Sequence, residues 1–258
     1  MILVTNDDGV FSPGIQMLAK RLRDLDTVII VAPDRERSAA GHSMTLHRPL
    51  LIEEIKESVY SVNGTPTDCV NIAVKGMLEQ EPRLVVSGIN KGPNLGDDVT
   101  YSGTVAGAIE ATLLGIPAIA ISLVAREDFL FAEAAEVACQ AAARVLDHGL
   151  SKGTLLNINV PNMPLQNIQG TKITRLGKRV YRHLTVERVD PRGKKYYWIG
   201  GGEPDWEREE GTDFDAIGKN CISITPLHLD LTDYSSLETL KSLESMSFIS
   251  PKSKRSSE

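Results

Sequence analysis

The sequence predicts an α/β fold built on a doubly wound, mostly parallel sheet, followed by a C-terminal β-hairpin arm and a helix. Five short runs are apolar almost throughout, which is typical of parallel strands covered by helices on both faces. These runs span residues 2–5, 27–32, 84–87, 118–124 and 155–160. The segments between them are long enough for crossover helices, so strand and helix alternate as far as Val160.

Two crossover helices carry clear N-terminal signals. One is predicted over residues 13–25, with Ser12 as its cap and Pro13 in its first position. Its apolar face consists of Ile15, Leu18, Ala19, Leu22 and Leu25. Another is predicted to begin after Thr65, where Asp68 is placed to complete a capping box.

Two more helices are predicted before residue 160. The first of these begins at Ser102 or Thr104 and ends at Leu114, because Gly115 is a typical residue just past a helix. Its many small residues indicate close packing against the sheet. The other is alanine-rich, covers residues 129–146 and leads into the fifth strand.

The whole chain, residues 1–258, is expected to form one domain with an uneven character. Residues 1–160 form its core, and residues 161–248 form a C-terminal extension that carries oligomerisation arms. Residues 249–258 are polar and lysine-rich and are expected to be a frayed tail.

The C-terminal extension is rich in aromatic residues, since both tryptophans and four of the six tyrosines lie beyond residue 180. Residues 180–186 and 195–199 are predicted to be the arms of a hairpin in a charged stretch. Aromatic side chains on such a segment are common at protein contacts, so we expect an oligomerisation arm. The alternative is an edge hairpin packed on its own chain. A late strand is predicted over residues 222–227 and a final helix over residues 235–247.

Composition and charge narrow the class of function. Hydrophobic residues make up 41% and charged residues 24%, as in ordinary globular proteins. The net charge of -6 offers no basic surface for a nucleic acid polymer, so small molecules are the expected partners.

Cys69, Cys139 and Cys221 lie far apart in apolar surroundings, as buried thiols do in a reducing compartment. The N-terminus shows no secretory signal and no apolar run approaches the roughly 20 residues of a membrane span, so we expect a cytoplasmic location without membrane contact.

An acidic pair at the end of the first strand predicts a cation site. Asp7 and Asp8 stand where a buried strand emerges into solvent, and adjacent carboxylates repel each other unless a cation neutralises them. Oxygen ligands of this kind suit Mg²⁺ or Mn²⁺. Because Asn, Asp and Gly also form turns, an ordinary turn is the alternative for residues 6–9.

Two further loops favour the cation site over a simple turn. In an open parallel sheet, ligands bind outside the carboxyl ends of the strands. The polar loops 34–43 and 88–98 follow the second and third strands and are expected to meet the acidic pair at that edge. Their Ser and Asn side chains offer neutral oxygens that complete the shell of a hard cation.

A helix start beside the third loop predicts phosphate binding. The glycine-rich loop 88–98 leads to Ser102, Gly103 and Thr104, where free N–H groups and the helix dipole attract anions. Ordinary capping by Ser or Thr is the alternative. Next to a cation site we favour phosphate.

Five other polar residues near these loops are expected to have lesser roles. His42 follows the second loop, but no histidine pair has zinc spacing, so a surface or core role is expected. Asp34 precedes two arginines and is expected to form a structural ion pair. Asp97 and Asp98 are either solvated or second-layer groups. Lys91 is either solvated or steers phosphate.

Several long motifs occur along the chain in a fixed order. The early ones are Asn6-Asp7-Asp8-Gly9-Val10, Ala32-Pro33-Asp34-Arg35, Gly64-Thr65-Pro66-Thr67-Asp68, Val86-Ser87-Gly88-Ile89-Asn90 and Tyr101-Ser102-Gly103-Thr104. The later ones are Leu156-Asn157-Ile158-Asn159-Val160-Pro161, Asp190-Pro191-Arg192-Gly193, Gly211-Thr212-Asp213-Phe214 and Ser223-Ile224-Thr225-Pro226-Leu227. Through these motifs the chain closely resembles the survival protein SurE family of nucleotidases, over all but about its last twenty residues. Thr5 stands where we associate a serine with this family.

The resemblance implies a Rossmann-like core and a metal-dependent phosphomonoesterase that acts on nucleoside 5′- and 3′-monophosphates. Some members also trim short polyphosphate. Asp7, Asp8, Ser38 and Asn90 match the family's metal ligands, so one Mg²⁺ or Mn²⁺ per subunit is expected. Asp7, Asp8 and Asn90 are also the expected catalytic residues.

The resemblance also implies phosphate contacts and an assembly. Ser102, Gly103 and Thr104 match the family's phosphate-contacting stretch, and Asn94 lies in the same pocket by motif. Members form dimers or tetramers through C-terminal arms that can exchange between subunits, so a homodimer or homotetramer is expected.

Three functions are weighed for such a site. The leading one is a nucleotidase in which the cation activates water for in-line attack. Its covalent variant, through a phosphorylated Asp7, is disfavoured because position 9 is glycine and not a second acid. The alternatives are a transferase that uses sugar nucleotides and a nucleotide sensor that does not catalyse.

Overall fold

The computed structural model describes residues 1–180, 185–199, 205–207 and 209–246. Its strands are β1 (Ile2–Thr5), β2 (Val28–Pro33), β3 (Ile52–Lys56), β4 (Val59–Val62), β5 (Leu84–Lys91), β6 (Ala118–Val124), β7 (Thr154–Pro161), β8 (Thr171–Ile173), β9 (Arg179–Val180), β10 (Thr185–Val189), β11 (Lys195–Ile199), β12 (Asp205–Trp206) and β13 (Ile222–His228). Its α-helices are α1 (Pro13–Leu22), α2 (Pro66–Ile72), α3 (Gly103–Leu113), α4 (Phe131–His148), α5 (Asp213–Gly218) and α6 (Tyr234–Leu240).

The main sheet has nine strands in the order β3-β4-β2-β1-β5-β6-β7-β13-β8. The six strands from β4 to β7 are mutually parallel, while β3 and β13 run antiparallel to β4 and β7. The chain proceeds from β1 toward β2 and β4, then crosses back to β5 on the other side of β1. The predicted doubly wound, mostly parallel sheet is confirmed, and its switch point lies between β1 and β5.

Helices cover both faces of this sheet, which explains why its central strands are apolar throughout. Helices α1 and α4 pack together on one face, and α2 and α3 pack together on the other. All four residues of β1 are fully buried between the two layers. A Cβ added to Gly107 of α3 would lie 2.9 Å from the hydroxyl of Ser87 on β5, so the predicted close approach of this helix is confirmed.

The helices α1 and α2 show which capping signals in the sequence form hydrogen bonds in the structure. The predicted capping box of α2 is confirmed, because the Asp68 N–H donates to Thr65 Oγ1 at 3.1 Å and the Thr65 N–H donates to Asp68 Oδ2 at 2.8 Å. Ser12 occupies the N-cap position of α1, but its side chain makes no capping hydrogen bond. Helix α1 ends three residues earlier than predicted, because the N–H of Leu25 turns back to the carbonyl of Leu22.

Several other predicted bounds shift by a few residues. Strand β5 continues four residues beyond the predicted segment, to Lys91, and α4 begins and ends two residues later than predicted. The predicted late strand is confirmed as β13. Strands β3 and β4 were not predicted, and β3, at the edge of the sheet, is short, mostly charged and largely exposed.

The C-terminal extension forms the predicted hairpin. Strands β10 and β11 pair antiparallel, with Thr185 opposite Ile199. Val180, the predicted start of the first arm, belongs to β9, and residues 181–184 lie outside the described residues. Helix α6 ends at Leu240 and continues as a 3₁₀ turn to Ser245. The predicted end of that helix at residue 247 is wrong, because the backbone is already extended at Met246. The predicted frayed tail lies outside the described residues.

Candidate active site

A small polar cleft lies outside the carboxyl ends of β1, β2 and β5, next to the start of α3. Its volume is about 270 Å³. The four residues predicted to bind a metal, Asp7, Asp8, Ser38 and Asn90, all line it. The three predicted loops therefore meet at one edge of the sheet, although the residues come from segments far apart in the sequence.

Asp7 is the most constrained residue of the cleft. Its side chain is almost completely buried, and the Thr104 hydroxyl donates a hydrogen bond to its Oδ1. A Cβ on Gly103 would lie 2.7 Å from the Cβ of Asp7, so glycine is needed for α3 to approach this closely. Burial, with a further contribution from the charge of Asp8, raises the pKa of Asp7 to about 6, although the hydrogen bond from Thr104 opposes this shift.

Asp8 forms an ion pair with a lysine side chain of the same chain. Its Oδ1 lies 3.7 Å from Nζ of Lys91, and its Oδ2 accepts a hydrogen bond of 3.3 Å from the backbone N–H of the same residue. Burial raises the pKa of Asp8, while Lys91 lowers it and the nearby Glu36 raises it. Lys91 is exposed, as expected for a solvated side chain, and it also forms an ion pair with Asp8. Glu36 also lines the cleft and was not predicted as a site residue.

Neutral oxygens accompany the two carboxylates. The amide of Asn90 donates to the carbonyl of Gly92 at 3.0 Å, so its amide oxygen is the remaining acceptor. The hydroxyl of Ser38 donates to Glu36 at 2.5 Å and retains its oxygen lone pairs. Across the described ranges, no group of three or more His, Cys, Asp or Glu side chains forms a metal cluster. The donor set is therefore two carboxylates with an amide and a hydroxyl oxygen, which fits a hard divalent cation.

Asn94 lines the same cleft and is fixed by polar groups from neighbouring strands. Its backbone N–H donates to Asn159 Oδ1 at 2.9 Å, and its carbonyl accepts from the amides of Asn157 and Asn159, each at 2.9 Å. Its own amide donates to Ser122 Oγ at 2.7 Å. These supporting residues were not predicted. The available signal was the pair of asparagines at alternate positions of the otherwise apolar β7.

The start of α3 combines capping with anion-binding potential. The Val105 N–H donates to Ser102 Oγ at 3.0 Å, so the capping alternative is realised. The Ser102 hydroxyl hydrogen remains a donor, and Ser102 lines the cleft. Thr104 differs from the expectation, because its hydroxyl binds Asp7 and so positions a carboxylate. Gly103 has only its backbone N–H to offer to an anion.

The remaining acidic candidates are Asp34, Asp97 and Asp98. The structural ion pair predicted for Asp34 is confirmed, since its Oδ1 lies 3.1 Å from a guanidinium nitrogen of Arg37. Asp98 lines the cleft and forms an ion pair with Arg179. Asp97 is exposed, as expected for a solvated side chain.

His42 has a structural contact and does not line the polar cleft. Its Nε2 lies 2.9 Å from the carboxylate of Glu110, a buried residue of α3 that also accepts from the Asn71 amide at 2.8 Å. His42 lowers the pKa of Glu110. The contact fastens the loop that carries Ser38 to α3, in agreement with a role outside catalysis.

Comparison with known proteins shows a consistent family relationship. A family model described as "Survival protein SurE" matches residues 2–183. A protein of Pelobacter propionicus named "5'-nucleotidase SurE" is 56% identical over 240 residues, which cover 93% of this chain and 97% of that protein. A protein of Geobacter sulfurreducens with the same name is 56% identical over 242 residues, covering 93% and 92%. The crystal structure of the SurE protein from Aquifex aeolicus superimposes with a TM-score of 0.87 at 48% identity, covering 94% of this chain and 99% of that one.

Proposed function

Since the chain belongs to the survival protein SurE family, we propose that it is a divalent-metal-dependent 5′-nucleotidase that hydrolyses nucleoside monophosphates to nucleoside and phosphate. The relatives named 5′-nucleotidase support the phosphomonoesterase activity. The observation that carries the metal dependence is the burial of two adjacent carboxylates, Asp7 and Asp8, in a cleft with neutral oxygen donors. We further propose that 3′-monophosphates and short polyphosphate are accepted, because the polar cleft offers recognition of a phosphoryl group alone.

Four side chains are proposed to hold one Mg²⁺ or Mn²⁺ per subunit. They are Asp7, Asp8, Ser38 and Asn90. A bound divalent cation supplies a Lewis acid for the phosphoryl oxygen and lowers the pKa of a bound water. Thr104 orients Asp7 through its hydroxyl, and Lys91 shares the charge of Asp8.

The phosphoryl group is proposed to lie between this cation site and the start of α3. Ser102 offers its hydroxyl hydrogen, and Gly103 offers a backbone N–H at the positive end of the helix dipole. Asn94 also lines the cleft and is held by its hydrogen bond to Asn159. Lys91 is close enough to the cleft to bind a phosphate oxygen. These donors match the charge that spreads over the oxygens during phosphoryl transfer.

We propose direct attack by water and no covalent intermediate. Asp7 is the carboxylate that a covalent route would use, but its Oδ1 already accepts the Thr104 hydroxyl and the side chain is buried against Gly103. A carboxylate held in this way is suited to binding a cation. Isolation of a phosphorylated Asp7 after incubation with substrate would contradict this route.

The C-terminal hairpin is proposed to join subunits in a homodimer or homotetramer. Strand β11 exposes all of its side chains, including Trp198 and Ile199 at 64% and 87% exposure. Residues 161–248 would then form an extension of the catalytic core.

A reducing, cytoplasmic setting is supported by Cys69, Cys139 and Cys221, which are buried and unpaired. Among the helices of the described ranges, none has the length and apolarity required to span a bilayer.

A single assay tests the proposed function against its alternatives. Purified protein is incubated with AMP and Mn²⁺, and free phosphate is measured with and without a chelator. Phosphate release that the chelator abolishes is the expected result. Binding of AMP without phosphate release would indicate a sensor, and release of a nucleoside diphosphate from a sugar nucleotide would indicate a transferase.

A further inference from the structure

A buried carboxylate outside the polar cleft joins the C-terminal extension to the loop that borders this cleft. Asp213, the first residue of α5, is fully buried, and its side chain accepts hydrogen bonds from three backbone N–H groups. Its Oδ2 accepts from Gly96 at 2.8 Å, 117 residues earlier in the chain. Its Oδ1 accepts from Gly177 at 2.8 Å and from Phe214 at 2.9 Å. One side chain therefore holds together segments that are far apart in the sequence.

The segments that Asp213 joins are packed so closely that a methyl group does not fit between them. A Cβ on Gly96 would lie 2.6 Å from the carbonyl oxygen of Gly177, and a Cβ on Gly177 would lie 2.5 Å from the ring of Phe214. Asp98 and Arg179, each two residues further along its segment, form an ion pair. The loop is therefore fixed to the C-terminal extension at two neighbouring points.

Gly96 lies between two parts of the chain that are proposed to bind phosphate. Asn94, two residues before it, lines the polar cleft. Gly96 also begins a 3₁₀ turn, Gly96–Thr100, which leads through Tyr101 to Ser102 at the start of α3. The hydrogen bond from Gly96 to Asp213 therefore fixes the first residue of the turn that delivers Ser102 to the cleft.

The proposed metal ligands are held by contacts with other residues. Asn90 belongs to β5 and lies opposite Ser122 in the pairing of β5 with β6. Asp7 accepts the hydroxyl of Thr104, a residue of α3, and this helix packs against β5 and β6. A displacement of the turn at Gly96 should therefore disturb the phosphate side of the cleft more than the cation side.

We propose that Asp213 is a positioning residue for phosphate binding, because by holding Gly96 it fixes the turn that places Ser102 in the polar cleft. The inference rests on the proposed function, since it concerns the phosphate that this cleft is proposed to bind. It also gives the C-terminal extension a role in the active site, through a residue that does not itself touch the substrate.

The chemistry of the contact explains why the residue is an aspartate. An ionised carboxylate has acceptors on both oxygens, so it satisfies N–H groups on either side, whereas an amide has an acceptor on one side only. Burial raises the pKa of Asp213, while the N–H groups of Gly96, Gly177 and Phe214 lower it. Three hydrogen bonds from the backbone thus compensate for the burial of the charge.

The variant Asp213→Asn breaks one of these hydrogen bonds and keeps the shape of the side chain. The amide oxygen can replace Oδ1, which has two donors, but the amide nitrogen then faces the N–H of Gly96. We expect inorganic phosphate, titrated by calorimetry in the presence of Mn²⁺, to bind roughly tenfold to a hundredfold more weakly, and kcat/KM for AMP to fall by a similar factor. The affinity for Mn²⁺ alone should be unchanged.

Asp215→Asn is the matched control, because it changes a carboxylate of the same helix that forms an ion pair with Lys219. It should alter neither phosphate binding nor kcat/KM. If Asp213→Asn weakened Mn²⁺ binding as much as phosphate binding, the role of Asp213 would be generally structural and the proposal would be overturned.

Hydrogen exchange tests the contact without catalysis. In the wild-type protein the amides of Asn94 and Gly96 should exchange slowly, because both are hydrogen-bonded and buried. Rapid exchange of Gly96 would show that Asp213 does not hold the loop, and it would overturn the proposal whether or not Asp213→Asn folds. In Asp213→Asn the exchange of Gly96 should accelerate while the amides of β7 stay protected.

The combined results separate this inference from the proposed function. If the exchange of Gly96 accelerates in Asp213→Asn but phosphate binding and kcat/KM are those of the wild type, the positioning role is refuted and the nucleotidase stands. If the wild-type protein binds phosphate but hydrolyses no AMP, the proposed function fails. A loss of phosphate binding in Asp213→Asn would then still support the positioning role.

Discussion

Two regions of this protein depart from the usual distribution of polar and apolar groups, and they do so in opposite ways. The polar cleft buries charge, since the side chains of Asp7 and Asp8 are almost inaccessible and their pKa values are raised by burial. The hairpin arm exposes apolar surface, since Tyr197, Trp198 and Ile199 on β11 are all more than half exposed. Buried charges and exposed aromatic residues are each unfavourable in an isolated subunit. We propose a partner for each region, a cation for the cleft and a second subunit for the hairpin.

The largest expected effect tests the charge of the cleft. Asp8→Asn removes one of the two charges of the acidic pair without changing the volume of the side chain, so AMP hydrolysis should fall by roughly a thousandfold or more. Phosphate release in the presence of Mn²⁺ measures the loss. Asp97→Asn, which changes an exposed carboxylate of the neighbouring loop, should leave the rate unaltered. Full activity in Asp8→Asn would remove the acidic pair from the mechanism.

The second prediction concerns the free energy of unfolding, which the buried charge of Asp7 lowers. The pKa of Asp7 in the folded protein, about 6, lies above its ordinary value of 3.8. The proton is therefore bound more tightly in the folded state, and the stability it provides is complete below pH 3.8 and is lost as the pH rises through 6. The shift corresponds to about 3 kcal/mol, at 1.36 kcal/mol for each pKa unit.

Asp7→Asn should therefore be inactive but more stable than the wild-type protein when both lack metal. In urea unfolding with EDTA at pH 8, the free energy of unfolding should rise by up to about 3 kcal/mol. At pH 4 the advantage should largely disappear, because Asp7 is then protonated in the wild-type protein. A variant no more stable at pH 8 would show that the cleft does not strain the metal-free subunit.

Local features of the fold were predicted from the sequence, whereas the long-range contacts of the cleft were not. Strand β1 and the capping box at Thr65 are local features, encoded by adjacent apolar residues or by a spacing of three, and both were predicted. The bond from Thr104 to Asp7 joins residues 97 apart, and the bond from Asn157 to Asn94 joins residues 63 apart. Such pairs depend on how α3 and β7 pack against the sheet, so the residue types alone do not indicate them.

The residues that line the cleft were more predictable than the contacts that hold these residues in place. Three polar loops after three parallel strands must share one edge, so the convergence of Asp7, Asp8, Ser38 and Asn90 follows from topology once the strands are recognised. The ion pair between Asp8 and Lys91 depends on the direction of a flexible side chain and was not recognised. The acidic pair itself indicated Asp7 and Asp8, and the resemblance to a known family indicated Ser38 and Asn90 as further proposed ligands.

The third prediction tests Thr104, whose hydroxyl positions Asp7. Thr104→Val keeps the shape of the side chain but removes the hydroxyl that orients Asp7, and losing such a partner typically costs about 10- to 100-fold in metal affinity or activity. Because that hydrogen bond lowers the pKa of Asp7, its loss should also move the acid limb of the pH–rate profile to higher pH. Thr112→Val, which removes a buried hydroxyl bonded to the carbonyl of Ala108 on the same helix, is the matched control. A normal rate with an unshifted profile would make Thr104 dispensable.

The smallest effect on the subunit is expected at the hairpin. Ile199 is 87% exposed, so Ile199→Asp should change the stability of the subunit itself by less than about 0.5 kcal/mol and leave its circular dichroism spectrum intact. If the hairpin joins subunits, the buried charge should nevertheless reduce the mass measured by light scattering toward the 28.1 kDa of a single chain. Leu46→Asp, at an 83% exposed position outside the hairpin, should leave the mass unchanged. A wild-type protein that is already monomeric would instead favour an edge hairpin packed on its own chain, and only the polar cleft would then require a partner.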